Sequence, residues 1–193
     1  MNTVSHRLLT ALFLTLMILL TQSHHFMTLY HFPPAAFAVM YLGGFFLSRL
    51  SWLVYLSCVI AAVDTLTISF GGALGAYLSW SYLFMFPAYA LMWFAGRWAK
   101  QQANHHLLTS VTTTLISFFS IALAELIASG SFYILKTPTP HSGAGLFQYY
   151  ITWAYQSVES FLFWALPIMA TYYAVKIGIA SFRGGAKPDF MQR

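Results

Sequence analysis

The sequence is short of charged residues. Asp, Glu, Lys and Arg together make up 7% of its 193 residues, whereas 59% are hydrophobic. A soluble domain of this length carries far more charge, and the apolar residues here form runs close to the ~20 residues that cross a bilayer core. The composition therefore excludes a soluble globular protein and predicts an all-α, polytopic membrane protein.

Cysteine and catalytic motifs are also scarce. Cys58 is the one cysteine and lies inside an apolar run, which excludes a disulfide framework and a cysteine metal cluster. The sequence has no G-x-S-x-G, H-E-x-x-H, Walker or dinucleotide-binding motif. The net charge of +5 comes from cations that stand singly at the ends of apolar runs, so no basic stripe could follow nucleic acid. We expect no enzyme, no bound cofactor and no nucleic-acid partner.

Six apolar runs organise the chain. They cover residues 8–20, 34–50, 51–70, 80–100, 109–135 and 149–179. The first could be a signal-peptide core, but the A-x-A cleavage pattern is missing, which favours a retained helix. The second is short enough to be re-entrant. We predict one six-helix membrane domain over residues 1–182 and a short polar tail over residues 183–193.

The positions of the cations favour six spans. If every run crosses the membrane, one side carries all Lys and Arg residues except Lys136, namely Arg7, Arg49, Arg97, Lys100, Lys176, Arg183, Lys187 and Arg193. A re-entrant second run would move Arg97 and Lys100 to the other side and weaken this bias. The positive-inside rule then predicts six spans with both termini in the cytoplasm.

Three carboxylates lie within the runs: Asp64, Glu125 and Glu159. An ionisable group at that depth costs at least ~2.5 kcal/mol, so each needs a partner, a water-filled cavity or a proton. Either they line a cavity that is open to the outside and holds a polar ligand, or they are structural and bind hydroxyl or indole groups of neighbouring helices. The two interpretations are evenly balanced for Asp64, and the structural one is favoured for both glutamates.

Histidine and aromatic residues gather in the predicted outer loops, where Lys and Arg are nearly absent. His24 and His25 are adjacent, without the spacing of a helical metal site, and no Cys or acid completes a ligand set. We therefore predict no metal site from the protein alone. One imidazole, of His24 or His31, could still bind a ligand that brings its own metal. The alternative is an aromatic belt at the membrane interface.

Four segments carry a resemblance to a known family. They read HFPPAAFAVMYLGGFFL (31–47), VDTLTISFGG (63–72), SYLFMFPAYALMWFAGRWA (81–99) and AELIASGSFY (124–133). In order and spacing they resemble the small BtuM-type vitamin B12 transporters, which are related to the substrate-binding S components of energy-coupling-factor (ECF) transporters. The resemblance covers roughly residues 30–135.

This resemblance implies uptake of cobalamin or a related corrinoid, held at the outer face of a six-helix bundle in the lipid bilayer. An ECF-type coupling subunit and its ATPases would be partners. In S components small residues of helix one dock that subunit, often as A-x-x-x-A, and the nearest match here is Ala11 with Thr15. The implied substrate-binding residues are His31, Asp64, Gly71, Gly72, Tyr77, Ser79, Trp80, Tyr82 and Tyr89. Residues 77–82 would form the lid and wall, the two glycines would let the backbone approach the ligand, and Asp64 would anchor the loop or accept from a corrin amide.

One position departs from the family pattern. Many members place a cysteine in the loop after the Gly-Gly turn, where its sulfur binds cobalt and promotes loss of the upper ligand. Tyr77 occupies that position here, and a phenol is a poor soft ligand. We therefore expect corrinoid binding without thiol chemistry on cobalt.

Other functions stay open. The protein could bind a different large, flat or amphipathic compound. It could be a membrane enzyme of corrinoid or lipid metabolism that uses Glu125 or Glu159 for proton transfer. It could also be a noncatalytic interaction subunit whose Gly43-Gly44 and Ser129-Gly130-Ser131 surfaces pack against partner helices.

Overall fold

The computed structural model describes residues 3–22, 33–70, 80–102, 107–136 and 141–182, and this part of the chain is built from helices. In chain order they are α1 (Thr3–Gln22), α2 (Ala36–Phe46), α3 (Leu50–Phe70), a 3₁₀ helix (Trp80–Phe84), α4 (Met85–Gln102), α5 (Leu107–Lys136) and α6 (Gly143–Phe182). The prediction of an all-helical fold is confirmed, and the described residues form the six α-helices expected.

Three of these helices are long and apolar enough to cross a membrane. The qualifying segments are Leu50–Thr67 in α3, Thr112–Lys136 in α5 and Gly143–Val175 in α6. Large apolar side chains are also exposed along several helices, as with Leu12 of α1 and Phe119 of α5. Such a surface suits lipid better than water, and these helices are those of a multi-pass membrane protein.

Helix α2 differs from the predicted second run. It has 11 residues, and at ~1.5 Å per residue it is about 16 Å long, which is less than the ~30 Å thickness of a bilayer core. It stops early because Ser48 adopts a left-handed backbone conformation, with φ of 62°, that turns the chain into α3. Most of α2 is buried, from Ala38 to Phe45, so the shortest of the described α-helices lies at the centre of the bundle.

Two glycines let α2 and α4 touch backbone to backbone. A Cβ atom on Gly44 would lie 1.9 Å from the carbonyl oxygen of Trp93, and one on Gly96 would lie 1.9 Å from that of Tyr41. Gly43 faces the ring of Trp93 in the same contact. The Gly43-Gly44 surface, which was a candidate contact for a partner helix, is therefore covered by the chain's own α4.

The other predicted partner surface is also largely internal. Ser129 and Ser131 are buried, and the hydroxyl of Ser131 donates to the carbonyl oxygen of Ala128 at 2.7 Å. The serines of this segment therefore contribute to packing and hydrogen bonding within the chain.

Helix α6 begins earlier than predicted. The sixth apolar run of the sequence covers residues 149–179, but Gly143 and Gly145 already lie in the first turn of the helix. The hydroxyl of Ser142 accepts a hydrogen bond from the backbone N–H of Gly145 at 3.0 Å, which is the geometry of an N-terminal cap. With 40 residues, α6 is about 60 Å long and exceeds the ~40–45 Å of a whole bilayer.

Cations gather where α2 and α4 end. The Nζ atom of Lys100 in α4 donates to the hydroxyl of Ser48, next to Arg49, at 3.4 Å. Partial burial and the nearby charge of Arg7 in α1 lower the pKa of Lys100. The start of α1, the turn between α2 and α3, and the end of α4 therefore lie together, and we call this the cationic end of the bundle.

Candidate functional site

A cavity of about 330 Å³ lies among α2, α3, α4, α5 and α6. Its lining comes from the starts of α2 and α4, from the last third of α3, from the second half of α5 and from the first half of α6. It therefore lies away from the cationic end, and we call this part of the bundle the cavity end.

The polar part of the lining contains two carboxylates. The polar residues are Asp64, Glu125, Ser129, Gln156, Ser157 and Ser160. The remaining wall is mostly aromatic, with Phe37, Tyr89, Phe132, Tyr149 and Trp153, beside smaller apolar residues. No Lys, Arg or His is found among the described residues of this lining. The arrangement offers hydrogen-bond acceptors within an apolar and aromatic enclosure, as is usual for small-molecule sites.

Asp64 joins two elements and also faces the cavity. The Tyr82 hydroxyl of the 3₁₀ helix donates a hydrogen bond to Oδ2 of Asp64. This bond connects the last third of α3 to the segment that precedes α4. Asp64 therefore has the hydroxyl partner that the structural interpretation expected, and it also lines the cavity.

Glu125 has the same double position between α5 and α6. Its side chain is 6% exposed, and each carboxylate oxygen accepts from one serine. Ser129, one turn later in α5, donates to Oε1, and Ser157 of α6 donates to Oε2 at 2.5 Å. Glu125 therefore has the hydroxyl partners that the structural interpretation expected, and it also lines the cavity.

Glu159 does not join this site. It lies two residues after Ser157, and two residues turn an α-helix by about 200°, so its side chain points to the other face of α6. It is exposed, and among the described residues it has no hydrogen-bond or ion-pair partner. Because α6 starts at Gly143, Glu159 lies about 24 Å along the helix from that end.

Tyr89 and Tyr82 are the other predicted site residues that the structure brings to this region. Tyr89 is buried in α4, and its ring meets that of Phe37 edge to face with centroids 6.1 Å apart. Trp80, predicted as part of the wall, is 79% exposed and lies outside the cavity lining. The predicted residues His24, His31, Gly71, Gly72, Tyr77 and Ser79 lie outside the described residues.

Helix α6 supplies the residues that sequence reasoning missed. Ser160 donates to the carbonyl oxygen of Pro34, and the indole N–H of Trp164 donates to that of Pro33 at 2.8 Å. These bonds hold the start of α2 against α6 and so define one side of the cavity. Pro33 and Pro34 stand before the N-cap of α2, outside its ladder of backbone hydrogen bonds, so their carbonyl oxygens are open to side-chain donors.

The described residues contain no group of three or more His, Cys, Asp or Glu side chains that could hold a metal ion. Cys58 is exposed on α3 and does not line the cavity. The described part of the site offers carboxylates, hydroxyl groups and aromatic rings to a ligand.

No protein-family model matches this chain, and no curated protein matches it. The resemblance to BtuM-type transporters therefore stays a prediction from the four sequence segments.

Proposed function

We propose that this protein takes up cobalamin or a related corrinoid across the bacterial cytoplasmic membrane, as an S-component-like substrate-binding protein. The observation that carries the proposal is the acid-lined cavity, which lies among helices apolar enough to cross a membrane. All four segments that resemble the transporter family contribute to its lining. In chain order they supply Phe37, Asp64, Tyr89 and Glu125.

The proposed topology has six spans, both termini in the cytoplasm and the cavity end facing outward. The cationic end supports this orientation, because Lys and Arg concentrate on cytoplasmic loops. A short α2 is compatible with a span, since it is covered by other helices. Irregular backbone is tolerated at membrane depth where protein surrounds it, and residues 33–35 and 47–49 extend α2 at its two ends.

The size of the cavity defines what it would hold. At about 330 Å³ it is near the lower end of the ~300–1,000 Å³ range of sites for drug-sized ligands. A corrinoid is larger, so the cavity would receive a side arm. The macrocycle would lie outside the cavity, and the family resemblance assigns its contacts to His24 or His31 and to Tyr77.

Coupling to ATPases would need a docking surface on α1. Ala11 is 4% exposed and belongs to the chain's own core, while the Thr15 hydroxyl donates to the carbonyl oxygen of Ala11 and contacts Tyr55 at 3.1 Å. The nearest match to the docking motif is thus used within the chain. A coupling subunit would instead meet the exposed side of α1, which carries Leu12 and Leu16.

The direct test is to purify the protein from cells grown with cobalamin and to record its absorption spectrum. We expect a coloured preparation and a binding isotherm for cobalamin by calorimetry. Expression of this chain in a strain unable to take up vitamin B12 should restore growth, with or without coupling ATPases. A colourless protein with no corrinoid affinity would overturn the proposal.

A further inference from the structure

We infer that the cavity takes a nitrogen-bearing hydrogen-bond donor, an ammonium or a primary carboxamide, and rejects a carboxylate in the same place. The carboxamide case rests on the proposed function, because corrinoids carry amide side arms. The ammonium case does not depend on it.

The charges in the described lining disfavour an anion. Asp64 and Glu125 are acidic, and the described residues of the lining include no Lys, Arg or His. Ser129 and Ser157 bind Glu125 through uncharged hydroxyls, which supply hydrogen bonds without adding a positive charge. A third carboxylate would meet like charge where the effective dielectric constant is low, so its binding would be costly.

Hydrogen-bonding capacity remains at Glu125. An ionised carboxylate has about four acceptor positions on its two oxygens, and each Glu125 oxygen accepts one hydroxyl in the structure. A ligand N–H can therefore bind this carboxylate without displacing Ser129 or Ser157. Bonds from an ammonium to a carboxylate are among the stronger hydrogen bonds in proteins.

The aromatic wall suits the same ligand groups. Tyr89, Phe132, Tyr149 and Trp153 line the cavity together with the carboxylates. The face of an aromatic ring attracts a cation, and rings also pack well against apolar carbon next to a polar group. A nitrogen donor on a short apolar arm could therefore bind a carboxylate through its N–H group and pack its carbon atoms against the aromatic rings.

Two pairs of probes test this inference by calorimetry on the purified full chain. The first pair is cobalamin and cobalamin with one peripheral amide hydrolysed to a carboxylate. The second is phenethylamine and phenylacetate. In at least one pair we expect the nitrogen probe to bind about tenfold or more tightly than its carboxylate counterpart, because like-charge contacts disfavour the latter.

Matched variants connect this preference to the cavity. Glu125→Gln and Asp64→Asn keep the side-chain shape and remove the charge, so each should reduce the preference for the nitrogen probe. Glu159→Gln removes a carboxylate that is exposed outside the cavity and should leave the preference unchanged. Thermal unfolding identifies variants that fail to fold, and the two cavity positions provide independent tests.

The outcomes separate the two proposals. Binding of phenethylamine but not cobalamin, with the expected dependence on Glu125, would overturn corrinoid uptake and support this inference. Equal binding of cobalamin and its carboxylate derivative, with no amine preference, would support corrinoid uptake and overturn this inference. This inference would also be overturned if neither nitrogen probe binds. The same holds if Glu159→Gln reduces the preference for the nitrogen probe as much as Glu125→Gln does.

Discussion

The α2 and α4 helices meet in two different ways at the two ends of the bundle. Toward the cationic end, Gly44 and Gly96 bring the backbones into direct contact. At the cavity end, the rings of Phe37 and Tyr89 pack between the same helices and line the cavity. In a chain where most residues are apolar, hydrophobicity alone cannot specify which helix faces meet. Side-chain size provides that information, as it does in membrane helices generally.

The two ends also carry opposite charge. Arg7 and Lys100 lie near each other at the cationic end, whereas Asp64 and Glu125 face the cavity. The acids are bound by hydroxyl groups within the chain. Tight glycine packing therefore accompanies the cationic end, and aromatic packing accompanies the acidic cavity.

The largest loss of stability is expected when a side chain is added at the α2–α4 contact. Gly96→Ala would place a methyl group 1.9 Å from the Tyr41 carbonyl oxygen, so the helices would have to separate. We expect a loss of about 1–3 kcal/mol or more in the free energy of unfolding, as for other overpacked sites. Thermal unfolding in detergent measures it.

Gly178→Ala is the matched control, because a Cβ atom there meets nothing within 4 Å. It should be neutral, or stabilising by up to ~1 kcal/mol through the better helix propensity of alanine. Equal stability of the two variants would show that the α2–α4 contact is not as close as described.

At the cavity end, Tyr82→Phe should have the next largest effect. It removes the hydroxyl that donates to Asp64, and a hydrogen bond to a charged group contributes about 1.5–3 kcal/mol. Tyr82 is partly exposed, so we expect the lower end of that range. The measurement is again the unfolding temperature, together with cobalamin or phenethylamine affinity.

Tyr155→Phe provides the control for Tyr82→Phe. Tyr155 is 70% exposed on α6, and substitutions at such surface positions change stability by less than about 0.5 kcal/mol. If both variants unfold alike and bind alike, the bond to Asp64 contributes nothing measurable to the site.

The positions of the helices could largely be read from the sequence, because long apolar runs are the dominant signal for membrane helices. The third and fifth runs correspond closely to α3 and α5. The end of α2 could not be read in this way, since it depends on the backbone conformation of Ser48. The start of α6 depends on the cap at Ser142, a local signal that hydropathy does not register.

The candidate site was only partly predictable. The sequence shows that Asp64, Glu125 and Glu159 are costly in a membrane, but not which helix face each one occupies. In helices that are apolar on all sides, periodicity does not reveal the inward face. Tertiary packing places Glu125 between two serines and leaves Glu159 exposed. The close contact at Gly96 likewise depends on the facing carbonyl of Tyr41.

A smaller effect is expected where α6 holds the start of α2. Trp164→Phe removes the indole donor to the Pro33 carbonyl oxygen and keeps an aromatic ring in place. We expect a loss of about 1 kcal/mol, the usual contribution of a neutral hydrogen bond. Trp80→Phe is the control, because Trp80 is 79% exposed. If Trp164→Phe is as stable as Trp80→Phe, the bond from Trp164 to Pro33 does not help to hold α2 against α6.

Cysteine labelling tests which end of the bundle faces outward, and its substitutions should perturb the structure least. Cys58 is exposed in the middle of α3, so in a bilayer its thiol should face lipid and stay unlabelled by a charged, membrane-impermeant maleimide until the protein is denatured. In a Cys58→Ser background, Ala144→Cys and Gln101→Cys place one thiol at the exposed start of α6 and one at the exposed end of α4. If the cavity end faces outward, intact cells label Ala144→Cys, and Gln101→Cys reacts only after permeabilisation. The reverse pattern would put the cationic end outside, and the cavity could then not receive a ligand from the medium.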